Sequence, residues 1–394
     1  MTSKKILILM SDTGGGHRSA AEAIAEATQQ LYGEACRVEI TDPWADHTPF
    51  PINRLGQLYG PLVKRGTLLW KLIFRSTSNR RAMSLLVKIL WPMVRKNLKD
   101  FLRQSNPDVI VSVHPVLTHF SIRALREANL HIPFVTVVTD LVTLHPFWLR
   151  PETDSCLVPT EPARDRALAS GLSLEKVKVV GLPVGLKFAR RAGEKKALRD
   201  KLGLKRDRPT ILVMGGGEGM GKVYKIARAL AKERVNAQLV IVAGRNKRLR
   251  RRLEKVNWEI PTIVFGFVTN MPELMGASDV IVTKAGPSTI SEALIIGLPI
   301  LLSGFIPGQE EGNVEYVINK GVGTWADKPY LIAATLAQWL QPENETLTHM
   351  ARKAQRLGRP WAALDIAAEI FNVAQASAST RSLPLSRPQP QARE

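Results

Sequence analysis

The sequence predicts an α/β protein built from two Rossmann-like, doubly wound domains that face each other across a cleft. Three observations carry this. Short β-branched or aliphatic runs alternate with helical patterns nearly throughout, the signature of parallel sheets covered by helices on both faces. The alternation restarts halfway, after Gly181-Leu182-Pro183-Val184 and a charged, helix-like stretch. Each half begins with an apolar strand that runs straight into glycines, Gly14 to His17 in one and Gly215 to Gly221 in the other. At 394 residues the chain is long for a single core, which agrees with two domains.

In chain order, KILILMS, RVEIT, VIVSV, FVTVVT, SCLVP and KVKVVG read as strands of a first domain, residues 1–182. TILVMG, QLVIVAG, TIVFG, VIVT and PILLS read as strands of a second, residues 183–343. A helix over 344–374 is expected to return toward the first domain, and residues 375–394 are too polar and proline-rich to pack, so they read as a disordered tail. The opening apolar run breaks at Ser11-Asp12 before a signal segment is complete. The longest uncharged run, Ala293 to Ile306, is short and broken by Gly297 and Pro299, so an integral membrane protein is not expected. Cys36 and Cys156 form neither a metal knuckle nor a disulfide framework, which fits a reducing cytoplasm.

The formal charge of +20 is concentrated between residues 51 and 103, where cations from Arg54 to Arg103 face a single acid, Asp100. Leu68, Leu69, Trp70, Leu72, Leu85, Ile89, Trp91 and Met93 recur among those cations at helical intervals. Such a segment suits a helix lying in an anionic membrane interface, where each cation contributes on the order of 1 kcal/mol. A core-packed helix with a solvated basic face is the other reading. Nucleic acid is not the expected partner, because no recognition module accompanies the charge. A second basic cluster, Arg245 to Lys255, reads as a solvated helix face.

The glycine run GGGEGMGK has the outline of a P-loop, but Val223 stands where a hydroxyl should reach magnesium. What remains is a side-chain-free turn whose N–H groups can close on a diphosphate at a helix start. Gly14, Gly16 and Ser19 nearly form a dinucleotide fingerprint, with Asp42 where a ribose-binding acid would sit, so an NAD enzyme or UDP-sugar epimerase stands as one alternative. A non-catalytic, membrane-recruited nucleotide-binding protein stands as another. His17 falls at the start of the first helix, where an imidazole is expected neutral and able to accept a proton. Asp140, ending a strand, either orients that ring or caps the next segment.

From Thr283 to Asn313 the turn Ala285-Gly286-Pro287-Ser288 opens a helix that Ser288 or Thr289 is expected to cap. Glu292 follows, placed to accept ribose hydroxyls. Gln309, Glu310 and Asn313 come after the next strand, at the sheet edge where open α/β folds bind ligands. No D-x-D pair occurs, so a metal-bridged diphosphate is not required by the sequence.

At these residues the chain resembles a family. TKAGPSTISEA, PGQEEGN, GGGEGMG, SDTGGGH, SVHP and TDLVTLHPFW together are similar to the monogalactosyldiacylglycerol synthases and related diacylglycerol glucosyltransferases, from Lys4 to about Asn372. The resemblance implies a GT-B fold of the family 28 type. It also implies an inverting transfer of a hexose, galactose ahead of glucose, from a UDP-sugar to the hydroxyl of 1,2-diacylglycerol, with no metal or other cofactor. By matching motif, His17 would be the base; Gly216, Gly217 and Gly219 would meet the diphosphate; Phe267 would back the uracil; Gly286, Ser288 and Thr289 would form the donor turn. Glu292 would hold the ribose, Gln309 and Glu310 would read the hexose and Asn313 would bind the donor, while Gly16, His145 and Trp148 would line the acceptor side. Ser288 departs from the family's usual glycine. The implied partners are UDP-hexose, diacylglycerol and an anionic membrane surface, and the implied place is the cytoplasmic face of the cell membrane, held peripherally.

Overall fold

The computed structural model of the protein describes residues 3–12, 15–54, 56, 60, 62–63, 66–190 and 193–381. Gly14, Lys64 and Arg65 of the motifs above lie outside the described residues, as do residues 382–394 of the expected tail.

Two six-stranded sheets form the frame. The first holds β1 (Lys4–Leu9), β2 (Cys36–Thr41), β3 (Val109–Ser112), β4 (Phe134–Val137), β5 (Ser155–Val158) and β6 (Val177–Val179) in the order β2-β1-β3-β4-β5-β6. The second holds β7 (Thr210–Met214), β8 (Gln238–Val242), β9 (Thr262–Phe265), β10 (Val280–Lys284), β11 (Ile300–Gly304) and β12 (Gly323–Trp325) in the order β12-β11-β10-β7-β8-β9. Every pairing is parallel. Parallel strands covered on both faces must be apolar on both, which is why Ile6 to Leu9 and Val109 to Val111 are continuous hydrophobic runs with no exposure.

Each sheet reverses its strand order once, between β1 and β3 in the first and between β7 and β10 in the second. Loops leaving the carboxyl ends of the two strands at such a point diverge and leave a crevice between them. His17 follows β1 and His114 follows β3; Gly215 to Gly221 follow β7 and Gly286 follows β10. The sequence motifs therefore fall at the two crevices.

Eleven of these strands are those the sequence predicts; β12 is the addition. It is three residues long and contains a glycine, and its pairing with β11 is what makes it a strand. Gly323 passes so close to β11 that a Cβ there would lie 2.0 Å from the Ile300 carbonyl oxygen.

The helix Arg80–Ser105 is core-packed on one face and exposed on the other. Val87, Trp91, Val94, Leu98 and Leu102 pack into the core with Leu7, Leu9, Ile110 and Phe120. On the other side Leu85, Ile89 and Met93, spaced by four, remain exposed. The helix Ala362–Arg381 lies on the first sheet, with Ile366, Ile370 and Ala374 in one core with Ile6, Ile8, Val109 and Val111. The single helix expected over 344–374 is two, Thr346–Leu357 and Ala362–Arg381, and the second continues to Arg381 rather than giving way to a tail at residue 375. A nucleated helix extends at little cost through alanine, and Ala376 and Ala378 offset the weaker helix formers Ser377 and Ser379 beyond Ala374.

Replacing Gly323 with Ala should force β12 away from β11, at about 1–3 kcal/mol for overpacking. A lower midpoint in thermal unfolding is the expected result; an unchanged midpoint would show that the close approach is not needed.

Candidate active site

The chain leaves β1 through Gly15, which is left-handed (φ 81°), and enters the helix Gly16–Tyr32 with His17 in its first turn. His17 Nδ1 lies 2.7 Å from the carbonyl oxygen of Val113, beyond the end of β3, and 3.1 Å from Thr139 Oγ1. Because a carbonyl only accepts, the proton sits on Nδ1 and leaves Nε2 with a lone pair. The ring stands edge-on to His114, with centroids 4.6 Å apart. Burial lowers its pKa to about 4, opposed by the bond to Val113. The imidazole is thus neutral at pH 7, as the sequence predicts, but the main cause is desolvation.

Asp140 neither orients His17 nor caps a helix. It is buried and accepts a 2.8 Å hydrogen bond from the Trp148 indole N–H. Burial raises its carboxyl to about 6, opposed by hydrogen bonds from Trp148 and from Gln309 across the cleft. Trp148 itself has no exposed surface, so it supports Asp140 and backs His17 rather than lining an acceptor pocket. His145 Nδ1 accepts from the Phe147 amide at 3.2 Å, and its Nε2 lies 3.2 Å from Thr77 Oγ1. Burial lowers its pKa to about 4.

In the second domain the glycine turn divides by direction. Gly216 (φ 69°) faces Lys284, and Gly217 faces the Arg245 guanidinium. Gly219 instead turns inward, where a Cβ would lie 2.1 Å from the Ala243 carbonyl oxygen; its smallness serves packing, not a diphosphate. Lys222 points away from the turn and donates to the Asp327 carbonyl at 2.8 Å, so the P-loop outline has neither its hydroxyl nor its lysine.

The helix Pro287–Ile296 has Gly286 as N-cap with no side-chain cap. Ser288 and Thr289 therefore lie inside the first turn, not at the capping position expected, and the first turn's backbone N–H groups have no intrahelical acceptor. Ser288 Oγ would be 3.5 Å from a Cβ on Gly16, so the two domains meet here. Glu292 follows one turn later, half-buried, its carboxyl pushed up to about 8 by burial and drawn back by Lys187. Phe267 is exposed, with the Arg245 guanidinium 4.3 Å from its ring centre.

Glu310, expected to read the sugar, and Asn313, expected on the donor side, do something else. Glu310 is buried, with one carboxylate oxygen 2.5 Å from Lys284 Nζ and the other accepting from the Ile306 amide at 2.9 Å. Asn313 is buried and donates to the Ala285 carbonyl at 2.9 Å, pinning the turn before the helix Pro287–Ile296 from behind. Gln309 does face the cleft, where it bonds to Asp140. Sequence reasoning missed Lys284, whose ammonium lies between Gly216, Gly286 and Glu310, and Arg245, which stands beside Gly217, Phe267 and Gly15. The signals were present: Lys284 is the cation ending an otherwise apolar strand, and Arg245 directly follows a strand and a glycine.

The dinucleotide alternative weakens at Asp42. Its two carboxylate oxygens accept the amides of Asp12 and Ala45, both at 3.1 Å, capping the helix Pro43–His47.

The family model "Monogalactosyldiacylglycerol (MGDG) synthase" matches residues 17–184, and "Glycosyltransferase family 28 C-terminal domain" matches residues 210–364. The solved structure of Acinetobacter baumannii MurG superposes with a TM-score of 0.64 at 15% identity, over 94% of this chain and 99% of that one. Two parallel six-stranded sheets of this topology, the superposition on that fold and the family 28 match over the second domain define a GT-B glycosyltransferase. A probable monogalactosyldiacylglycerol synthase of Glycine max is 44% identical over 379 residues, 94% of this chain and 71% of that protein. Monogalactosyldiacylglycerol synthase 1 of Arabidopsis thaliana is 44% identical over 372 residues, 92% and 70% respectively. The chain belongs to the monogalactosyldiacylglycerol synthase family.

If the Lys284–Glu310 pair holds the donor turn, Lys284→Met alone should cost about 3–5 kcal/mol, because Glu310 is left as an unpaired buried charge. Lys284→Met combined with Glu310→Gln should recover most of that loss. Urea unfolding of the single and double variants checks this, and equal loss in both would refute the pairing.

Proposed function

We propose that the protein moves galactose from UDP-galactose to the free hydroxyl of 1,2-diacylglycerol with inversion at the anomeric carbon, and that His17 is the general base. One observation carries the mechanism. His17 Nδ1–H is committed to the Val113 carbonyl, so the Nε2 lone pair is the ring's remaining proton acceptor, in the domain opposite the donor turn. A lipid hydroxyl within hydrogen-bond reach of Nε2 would lose its proton as its oxygen attacks the anomeric carbon from the face away from UDP. The names of the relatives, monogalactosyldiacylglycerol synthases, support that acceptor and that sugar.

On the donor side, backbone N–H groups of the first turn of Pro287–Ile296, the Gly216–Gly217 turn and the Lys284 ammonium would meet the charge that develops on UDP. Arg245 and Phe267 flank the place left for the base, and Glu292 would take the ribose diol. Gln309, released from Asp140, would read the hexose. These donors make a metal unnecessary in this reading, and a rate unchanged by EDTA is the expected outcome.

For membrane attachment we propose the exposed apolar residues of the helices Thr67–Thr77 and Arg80–Ser105, flanked by the exposed cations Arg75, Arg81, Lys88, Arg95 and Lys96. Among the described residues no helix is long and apolar enough to cross a membrane. Peripheral attachment at the cytoplasmic face of the cell membrane is part of the same proposal.

The test is to supply vesicles containing diacylglycerol with UDP-galactose or UDP-glucose and to identify the glycolipid and its anomeric configuration. No lipid product, or a retained configuration, would overturn the reading. His17→Ala should lower the turnover by about 10²–10⁴-fold while leaving UDP-galactose binding intact. Because the pKa of His17 is lowered to about 4, the base form persists on acidification well below the ordinary 6.5. The profile of kcat/KM should therefore show no His17-dependent loss centred at pH 6.5; a limb there that vanishes in His17→Gln would place the free-enzyme pKa near its ordinary value.

A further inference from the structure

The helix Thr67–Thr77 touches both halves of the site. From the second domain, Gly308 (φ 85°) presents bare backbone to Phe74: a Cβ there would lie 3.0 Å from the Phe74 ring. The residue after Gly308 is Gln309, which bonds to Asp140. One turn before Phe74, Lys71 Nζ stands 3.5 Å from Glu311 Oε1. From the first domain, the Phe74 ring packs edge-on against His145, with centroids 5.4 Å apart. Thr77 Oγ1 donates to the Ile73 carbonyl at 2.8 Å, so it accepts from His145 Nε2–H, the tautomer that the Phe147 amide bond to Nδ1 also demands.

The opposite side of the same helix is different. Leu68, Leu69, Leu72 and Ile73 are 80%, 54%, 63% and 38% exposed. At 3.6 residues per turn these four sweep an arc of about 140°, with Phe74 and Thr77 beyond its far edge. One face is therefore apolar and open, and the other is bolted to the loop that carries Gln309 and to the acceptor-side histidine.

We propose that Phe74 is a positioning residue that couples seating of this helix on a bilayer to the geometry of the Gly308–Gln309 loop, so that the enzyme binds its sugar nucleotide more tightly when it is on a membrane. The proposal rests on the membrane reading of the basic segment given above. Its logic is differential affinity: a bilayer favours whichever helix position presents Leu68, Leu69, Leu72 and Ile73 together, and Phe74 transmits that position to Gly308 because a glycine backbone against an aromatic ring leaves no slack. Coupling of this kind is reciprocal, so the sugar nucleotide must tighten vesicle binding by the same factor.

The experiment uses the whole protein and vesicles of phosphatidylcholine and phosphatidylglycerol that contain no diacylglycerol, so that no transfer occurs. The Kd for UDP-galactose is measured with and without vesicles, and vesicle binding is measured by flotation. In the wild type, vesicles should tighten UDP-galactose binding by about 5-fold or more. Phe74→Ala should float as the wild type does and bind UDP-galactose equally with and without vesicles, and Phe74→Leu should restore part of the coupling. Leu68→Ser with Leu72→Ser, on the outer face, should weaken flotation and leave the vesicle-free Kd unchanged, which separates the two faces even if Phe74→Ala unfolds. Flotation without any change in Kd, or a change that survives in Phe74→Ala, would overturn the coupling alone. Failure of the wild type to float would overturn the membrane reading and the coupling with it.

Discussion

The hydrogen bond between His17 and the Val113 carbonyl is the contact on which the first half of the site depends. It joins the loop after β1 to the loop after β3, the two strands between which the first sheet reverses direction. A reversal separates the loops and opens a crevice; the bond spans it and spends one imidazole nitrogen in doing so. What remains is a ring whose basic nitrogen meets no hydrogen-bond partner among the described residues, held neutral chiefly by burial. Asp140, Trp148 and His145 then form a second layer, each engaged with a partner other than His17.

The second half is organised by a buried charge pair. Lys284 ends β10 and Glu310 lies just before the helix Glu311–Asn319, and their ion pair ties the strand end to the loop after β11. A lone carboxylate in that position would be costly to bury, and so would a lone ammonium. Together they are tolerated, and they leave a cation beside the glycine turn and the start of Pro287–Ile296. Asn313 braces the same turn through Ala285. The residues that would touch the nucleotide and the residues that hold them in place are therefore interleaved along one short stretch of chain.

The strands were legible because parallel strands buried on both faces are written as unbroken aliphatic runs; β12, with three residues and a glycine, carries no such signal and exists through its pairing with β11. His17, Gly216 and the Gly286 turn were legible because strand-glycine-helix junctions are local patterns. Side-chain direction was not. Glu310, Asn313, Trp148 and Gly219 lie in the segments the motifs marked, yet each turns inward to a lysine, a carbonyl, a carboxylate or a neighbouring loop. Whether a residue meets a ligand or supports one depends on atoms distant in sequence.

By itself the sequence determined the two-domain parallel architecture, the loops that form the site and the family. Each follows from short-range patterns: hydrophobic runs, glycine turns and motif spacing. Only the tertiary structure decided that Val113 rather than Asp140 orients His17, that burial is the main cause keeping it neutral, and that Lys284 stands beside Gly216 and Gly286. It also decided that the basic segment is core on one face and open apolar surface on the other. These are relations between groups brought together by the strand-order reversals and by closure of one domain on the other. Desolvation, hydrogen-bond partnering and exposure are set by all the neighbours at once, and most of those neighbours are remote along the chain.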